Sequence, residues 1–183
     1  MISQIKKDLK LNLSARRYNH ILGVEKMAIE LANIYHVDVE KIRIAALLHD
    51  LTKEYSNDEQ KKILMNDIKI FNNQKLYHAP TSSIKAREIY GIEDDEILEA
   101  IKFHTLGNEG LSDIGKIIYI SDFIEEGRVG VVYDGIRDKV GLPINELTLL
   151  TIKAKQKMLE KKGKKPHNLT NKFEKYIERN IYE

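Results

Sequence analysis

The chain has 183 residues, 42% of them apolar and 32% charged, the composition of a globular domain long enough to bury a core. It has no cysteine, which excludes disulfides, thiolate nucleophiles and cysteine metal sites, so any metal must be held by His, Asp or Glu. The net charge of +2 is unevenly placed: residues 151–183 carry ten Lys/Arg against four Glu, and residues 1–150 carry 20 Lys/Arg against 24 Asp/Glu. Such a basic segment either attracts an anionic ligand or RNA, or is simply a solvated helix surface. Apolar runs such as Ile117 to Ile120 fall far short of the roughly 20 residues a membrane helix needs, and no signal-peptide stretch opens the chain. A cytoplasmic protein is expected.

Prolines occur only at Pro80, Pro143 and Pro166, and the stretches between them place apolar residues at helical spacing. Helices are expected over about 3–12, 16–36, 39–53, 57–66, 80–91, 93–105, 112–125, 143–162 and 169–181. With no alternating strand pattern, repeat or linker, the fold class is all-α and the chain a single domain over 1–183.

Several apolar stripes end on polar residues. Four residues before Val24, in the stripe Val24, Ala28, Leu31, Tyr35, stands His20 on the same face. Ile42 and Ala45 lead to His49, with Asp50 beside it on the face of Ala46; Ile97 and Ile101 lead to His104; Ile114 and Ile118 lead to Asp122. One histidine on an apolar stripe is an ordinary core residue. Four stripes ending alike, with two carboxylates, are costly to bury unless a cation accepts their lone pairs, so the joint pattern points to a metal site. His36, near a helix end, and His167, in a Gly/Lys/Pro turn, have no such setting and are read as non-ligands.

In Ala45-Ala46-Leu47-Leu48-His49-Asp50-Leu51-Thr52-Lys53, a small-residue helix ends in two metal-competent side chains roughly 100° apart, followed one turn later by a lysine. With His20 upstream and Asp122 downstream, this resembles the HD-domain metal-dependent phosphohydrolases, whose pattern is a His, a His-Asp pair and a distant Asp. His78-Ala79-Pro80 and His104-Thr105-Leu106-Gly107 complete spacings of 29, 29, 26 and 18 residues from His20 onward. Together with Arg17-Tyr18-Asn19-His20-Ile21-Leu22-Gly23-Val24 and Ser121-Asp122-Phe123-Ile124-Glu125-Glu126-Gly127-Arg128, the order is similar to that of the YqeK-type symmetrical diadenosine tetraphosphate hydrolases. The resemblance covers about residues 15–140 and extends more loosely over the C-terminal helices at 143–183. Leu106, Ser82 and Glu126 depart from it, standing where that family has Ser or Thr, Gly, and Pro; none is a ligand position.

The resemblance implies an HD-domain helical bundle with two divalent metal ions, the first held by His20, His49, Asp50 and Asp122, the second by Asp50, which bridges, with His78 and His104. Without it His78, in an expected loop before Pro80, reads equally well as a surface or capping residue. The metal implied is iron, and the donor set also suits manganese, cobalt, nickel or zinc. Lys53, as a point charge after Asp50, and Arg128, as a planar fork after Asp122, are candidate phosphate contacts, each with an ordinary surface cation as the alternative. Thr105 either bonds a phosphate or caps its helix. The implied reaction places a hydroxide held by two metals on an inner phosphate of diadenosine tetraphosphate, releasing two ADP, with Asp50 and Lys53 the catalytic residues and Lys53, Thr105 and Arg128 the substrate contacts. The same metals could serve another nucleotide, such as a nucleoside monophosphate or guanosine tetraphosphate. A non-enzymatic nucleotide sensor or RNA-binding protein is the alternative of a different class, but residues 151–183 offer only Phe173, Tyr176 and Tyr182 for stacking, at core-like spacing, so nucleic acid is not an expected partner. The sequence leaves room for a homodimer.

Overall fold

Ser14, Asp38, Asp94 and Ser112 each turn a side-chain oxygen onto backbone N–H groups two or three residues ahead, and so mark where four helices begin. The computed structural model describes residues 1–64 and 69–182, and of Tyr182 the backbone alone. Among these residues it has no strand and ten α-helices: α1 (Ile2–Asn12), α2 (Ala15–Tyr35), α3 (Val39–Leu48), α4 (Asn57–Leu64), α5 (His78–Tyr90), α6 (Asp95–Phe103), α7 (Asp113–Ile124), α8 (Val131–Arg137), α9 (Ile144–Glu160) and α10 (Asn168–Tyr182).

The core is built from the stripes read in the sequence. α2 packs along α3 and α7, and α6 along α5 and α7. Val24, Ala28, Leu31, Ile42, Ala45, Ile101 and Ile118 are fully buried between them. Each large aliphatic side chain so buried contributes about 1.5–3 kcal/mol relative to exposure. A second cluster joins Leu111, Tyr119, Leu149, Ile152, Phe173 and Ile177, and docks α9 and α10 onto α7. The buried carboxylate of Glu25 is paired with Lys6 at 2.6 Å and Arg43 at 3.1 Å, tying α2 to α1 and α3.

Two boundaries and one helix differ from expectation. α3 ends at Leu48 rather than near 53, because the chain leaves the helix at His49 and continues in turns, with the Lys53 N–H bonded to the Asp50 carbonyl at 3.0 Å. α5 starts at His78, two residues before Pro80: a proline in the first turn lacks only an N–H that has no intrahelical partner there. His78 is therefore the first residue of a helix and not part of a loop. α8 was not expected; Arg137 at its end donates to the carbonyls of Ile124, Glu125 and Arg128 at 2.8, 2.7 and 2.6 Å, closing off the end of α7. Of the helix expected over 57–66, residues 65 and 66 lie outside the described residues.

Candidate metal centre

His49 is the C-cap of α3 and His104 the C-cap of α6. Their ring centroids are 4.8 Å apart, so two helix C-termini, the electronegative ends of the backbone dipoles, converge and favour positive charge between them. Each imidazole is oriented by its own helix: Nδ1 of His49 is 2.6 Å from the Ala46 carbonyl oxygen, and Nδ1 of His104 is 2.8 Å from that of Ile101. A carbonyl only accepts, so both Nδ1 atoms carry the proton, and the lone pair of each ring is left on Nε2. His20 on α2 is set likewise by a side chain, its Nδ1 3.2 Å from Oε1 of the buried Glu125.

Asp50 lies in the middle. Its Oδ1 is 3.3 Å from Nε2 of His78 and 3.6 Å from Nε2 of His104, while its Oδ2 is 3.5 Å from Nε2 of His49 and 3.7 Å from Nε2 of His20. Oδ2 also accepts from Arg17 Nη1 at 2.5 Å. Two sets of donors result, His20, His49, Asp50 and Asp50, His78, His104, in each of which the ligand atoms lie within 4.8 Å of one another. Asp50 belongs to both. Asp122 stands beside the first set, with its Oδ1 3.2 Å from His20 Nε2 and 3.3 Å from Arg128 Nη2, and is not part of either mutual grouping.

His20 Nε2, His49 Nε2 and Asp50 Oδ1 are buried without a hydrogen-bond partner among the described residues. The acceptors face acceptors: with Nδ1 of His20 already donating, its Nε2 lone pair meets the carboxylate of Asp122. Leaving such groups unsatisfied costs about 1–3 kcal/mol each, and a divalent cation is the species that accepts lone pairs from all of them. The donor set fits one.

The titration behaviour agrees. Burial opposes the charge on Asp50, but His49, His78 and Lys53 outweigh it and hold the carboxyl well below the usual range. Burial pushes His78 down, to about 4, and with the neighbouring His49 and His78 it also holds His104 well below its ordinary value, so both rings are neutral near pH 7 and able to ligate. His49 goes the other way, burial being outweighed by the Asp50 charge: this position attracts a positive charge.

The HD domain family model matches residues 17–127 of the chain. A symmetrical bis(5'-nucleosyl)-tetraphosphatase of Bacillus subtilis is 33% identical over 159 residues, covering 85% of this chain and 86% of the relative. One from Staphylococcus aureus is 38% identical over 142 residues, covering 75% of this chain and 73% of that protein. The chain belongs to the HD domain family. A crystal structure from Clostridium acetobutylicum, of a predicted HD superfamily hydrolase involved in NAD metabolism, superposes on this chain with a TM-score of 0.91 at 34% identity, over 98% of both chains.

Within this HD domain, the phosphate candidates fall at or beside the cluster. Lys53 is not a surface cation: it is partly buried, with Nζ 3.2 and 3.0 Å from the two ring nitrogens of His78, and burial lowers its pKa. Thr105 Oγ1 has no hydrogen-bond partner among the described residues, so it does not cap its helix, and it lines a cleft of about 710 Å³ with Asp122 and Arg128. Arg128 also lines a second cleft, of about 470 Å³, with Arg16, Arg17 and His20. His36 caps α2 in a left-handed conformation and His167 accepts from the Leu169 N–H; neither joins a donor set. The departures from the family pattern are absorbed elsewhere: Ser82 Oγ accepts from the Thr52 N–H at 3.1 Å, Leu106 is buried with Phe71 and Tyr77, and the exposed Glu126 pairs with Lys26.

Arg17 and Glu125 were not singled out from the sequence. Arg17 stands one turn before His20 on the same face of α2, and Glu125 three residues after Asp122, so spacing carried a signal for both. Glycines carried another. A Cβ on Gly23 would come within 2.6 Å of Glu125 Oε2 and one on Gly127 within 2.9 Å, so both positions make room for this carboxylate.

Proposed function

We propose that this HD domain hydrolyses dinucleoside tetraphosphates symmetrically, cleaving diadenosine tetraphosphate to two ADP with two divalent cations, iron in the first place. The observation that carries the reading is the pair of donor sets sharing Asp50, with three buried lone-pair atoms left unsatisfied. The names of the similar Bacillus subtilis and Staphylococcus aureus proteins support the substrate class. His20, His49, Asp50 and Asp122 would hold the first cation, and Asp50, His78 and His104 the second. Bound there, the cations supply a nucleophile at neutral pH by acidifying a water and offset the charge on the attacked phosphate.

The chain's own residues orient and balance this site. Arg17 fixes Oδ2 of the shared Asp50, and Glu125 fixes the ring of His20. In this reading Lys53 releases His78 to ligation and takes a phosphate oxygen, while Arg128, common to the two clefts, presents its fork to the chain of phosphates. Central cleavage needs a nucleoside diphosphate to extend on either side of the attacked bond. The two clefts, one holding Asp122 and the other His20, 3.2 Å from it, suit that demand. An RNA-binding role finds no support: Phe173 is fully buried, Tyr176 packs against the same cluster, and the side chain of Tyr182 lies outside the described residues. No helix among the described residues is long and apolar enough to cross a membrane.

The test is anaerobic incubation with ferrous iron and diadenosine tetraphosphate, with nucleotides resolved by anion exchange. ADP should be the sole product of wild type and His36→Ala, and Asp50→Ala should be inactive. ATP plus AMP would overturn the symmetrical register. Equal activity of Asp50→Ala and wild type would overturn the two-cation site.

A further inference from the structure

The 710 Å³ cleft beside Asp122 contains a cation that the reaction described above does not use. Lys155 on α9 and Tyr119 on α7 line it together with Asp122 and Arg128, and its volume suits a nucleotide-sized ligand, for which pockets of roughly 300–1,000 Å³ are usual. The ammonium of Lys155 is buried, with no hydrogen-bond or ion-pair partner among the described residues. It rests over the ring of Tyr119, 3.6 Å from the centroid. An aromatic face holds a cation by its quadrupole without neutralising it, so the charge stays available to an anion. Tyr119 is itself fully buried, and its hydroxyl, like Oγ1 of Thr105, has no hydrogen-bond partner among the described residues. Three groups able to donate therefore line one cleft without a hydrogen-bond partner among the described residues, the Asp122 carboxylate in the same lining bonding none of them, an arrangement that is costly unless an acceptor-rich anion enters. Burial lowers the Lys155 pKa to about 8, which leaves the amine charged near neutral pH. The outer lining adds Lys162, Lys164 and Lys165, so the basic C-terminal segment belongs to the wall of this cleft.

We propose that Lys155, seated on Tyr119, binds the substrate's phosphate chain on the α9 side of the metal cluster, at a phosphate next to the one attacked. The assignment rests on the phosphohydrolase reading and adds the residue that holds the neighbouring phosphate of the half that takes up the hydroxide, not of the departing half. That phosphate is neither attacked nor given the leaving-group charge, so it carries the same charge in ground and transition states, and loss of Lys155 weakens binding and leaves turnover largely intact.

The experiment compares metal-loaded wild type, Lys155→Met, which keeps the stem over Tyr119, and Lys155→Arg, which keeps the charge. Steady-state kinetics on diadenosine tetraphosphate, calorimetric titration with ADP and a thermal melt are measured for each. Lys155→Met should raise KM and weaken ADP binding by about ten-fold or more, with kcat within about three-fold of wild type, and Lys155→Arg should recover most of the loss. If Lys155→Met fails to melt cooperatively, Lys155→Gln takes its place with the same expectation. ADP affinity and KM unchanged in a folded neutral variant would overturn the role of Lys155 while leaving the function standing. A metal-loaded wild type that neither binds ADP nor cleaves the dinucleotide would take down the functional reading and this assignment together.

Discussion

Replacing Glu125 with Ala removes the acceptor for His20 Nδ1 and vacates the space that Gly23 and Gly127 keep clear. The ring of His20 then loses both its fixed tautomer and its orientation. The expected result is a fall of about 10–100-fold in affinity at the first metal position, read by competition with a chromophoric chelator, with a smaller loss for Glu125→Gln, which keeps an accepting oxygen. Wild-type affinity in Glu125→Ala would show that His20 is oriented by something else. His49 and His104 were legible in the sequence because an apolar stripe led to each. Glu125, Arg17 and Lys155 were not, since a charged side chain after an apolar run reads the same whether it faces water or a partner from another helix. For His49 and His104 the acceptor is main-chain oxygen, so no side-chain pattern could announce it.

Helix α10 docks where α6 gives way to α7. Gly107 has φ +71°, and a Cβ there would lie 2.0 Å from Cδ1 of Phe173, which is fully buried and packs edge-on to Tyr119 at 5.6 Å. Gly107→Ala combines backbone strain with a clash in the second cluster, and should cost about 2–4 kcal/mol. Lower thermal stability and earlier proteolytic release of α10 are the expected readouts; a melt like that of wild type would mean that Phe173 has another place to go. Long amphipathic elements such as α2 and α9 were legible from apolar spacing and from the prolines between them. α8 was not: seven residues with Gly135 inside them are too few to display a helical period, and the segment is held by the bonds of Arg137 to three distant carbonyls. The early end of α3 had no local signal either, because His49 and Asp50 leave the helix to meet residues far along the chain.

Across the whole molecule, donors from α2, the end of α3, the start of α5, the end of α6 and α7 meet in one cluster. The two cations proposed there would together cross-link five segments of the folded state and have no equivalent in the unfolded one. At a hundred times its dissociation constant each should add about 2.7 kcal/mol, or about 5–11 °C in Tm for a chain of this size. Calorimetry before and after exhaustive chelation measures this, and Asp50→Ala should show no such difference; a wild-type melt indifferent to chelation would count against the site. The uneven charge was legible, but its reason was not: only the docking of α9 against α7 brings Lys155 to the cleft. Taken in the order of synthesis, His20, His49 and Asp50 all lie within the first 50 residues, on two segments that pack along each other. The second set waits for His104, and Asp122 arrives 18 residues later still. In the order of synthesis the three donors of the first set thus precede the second set, and Asp50 becomes a shared residue only once His104 has followed it.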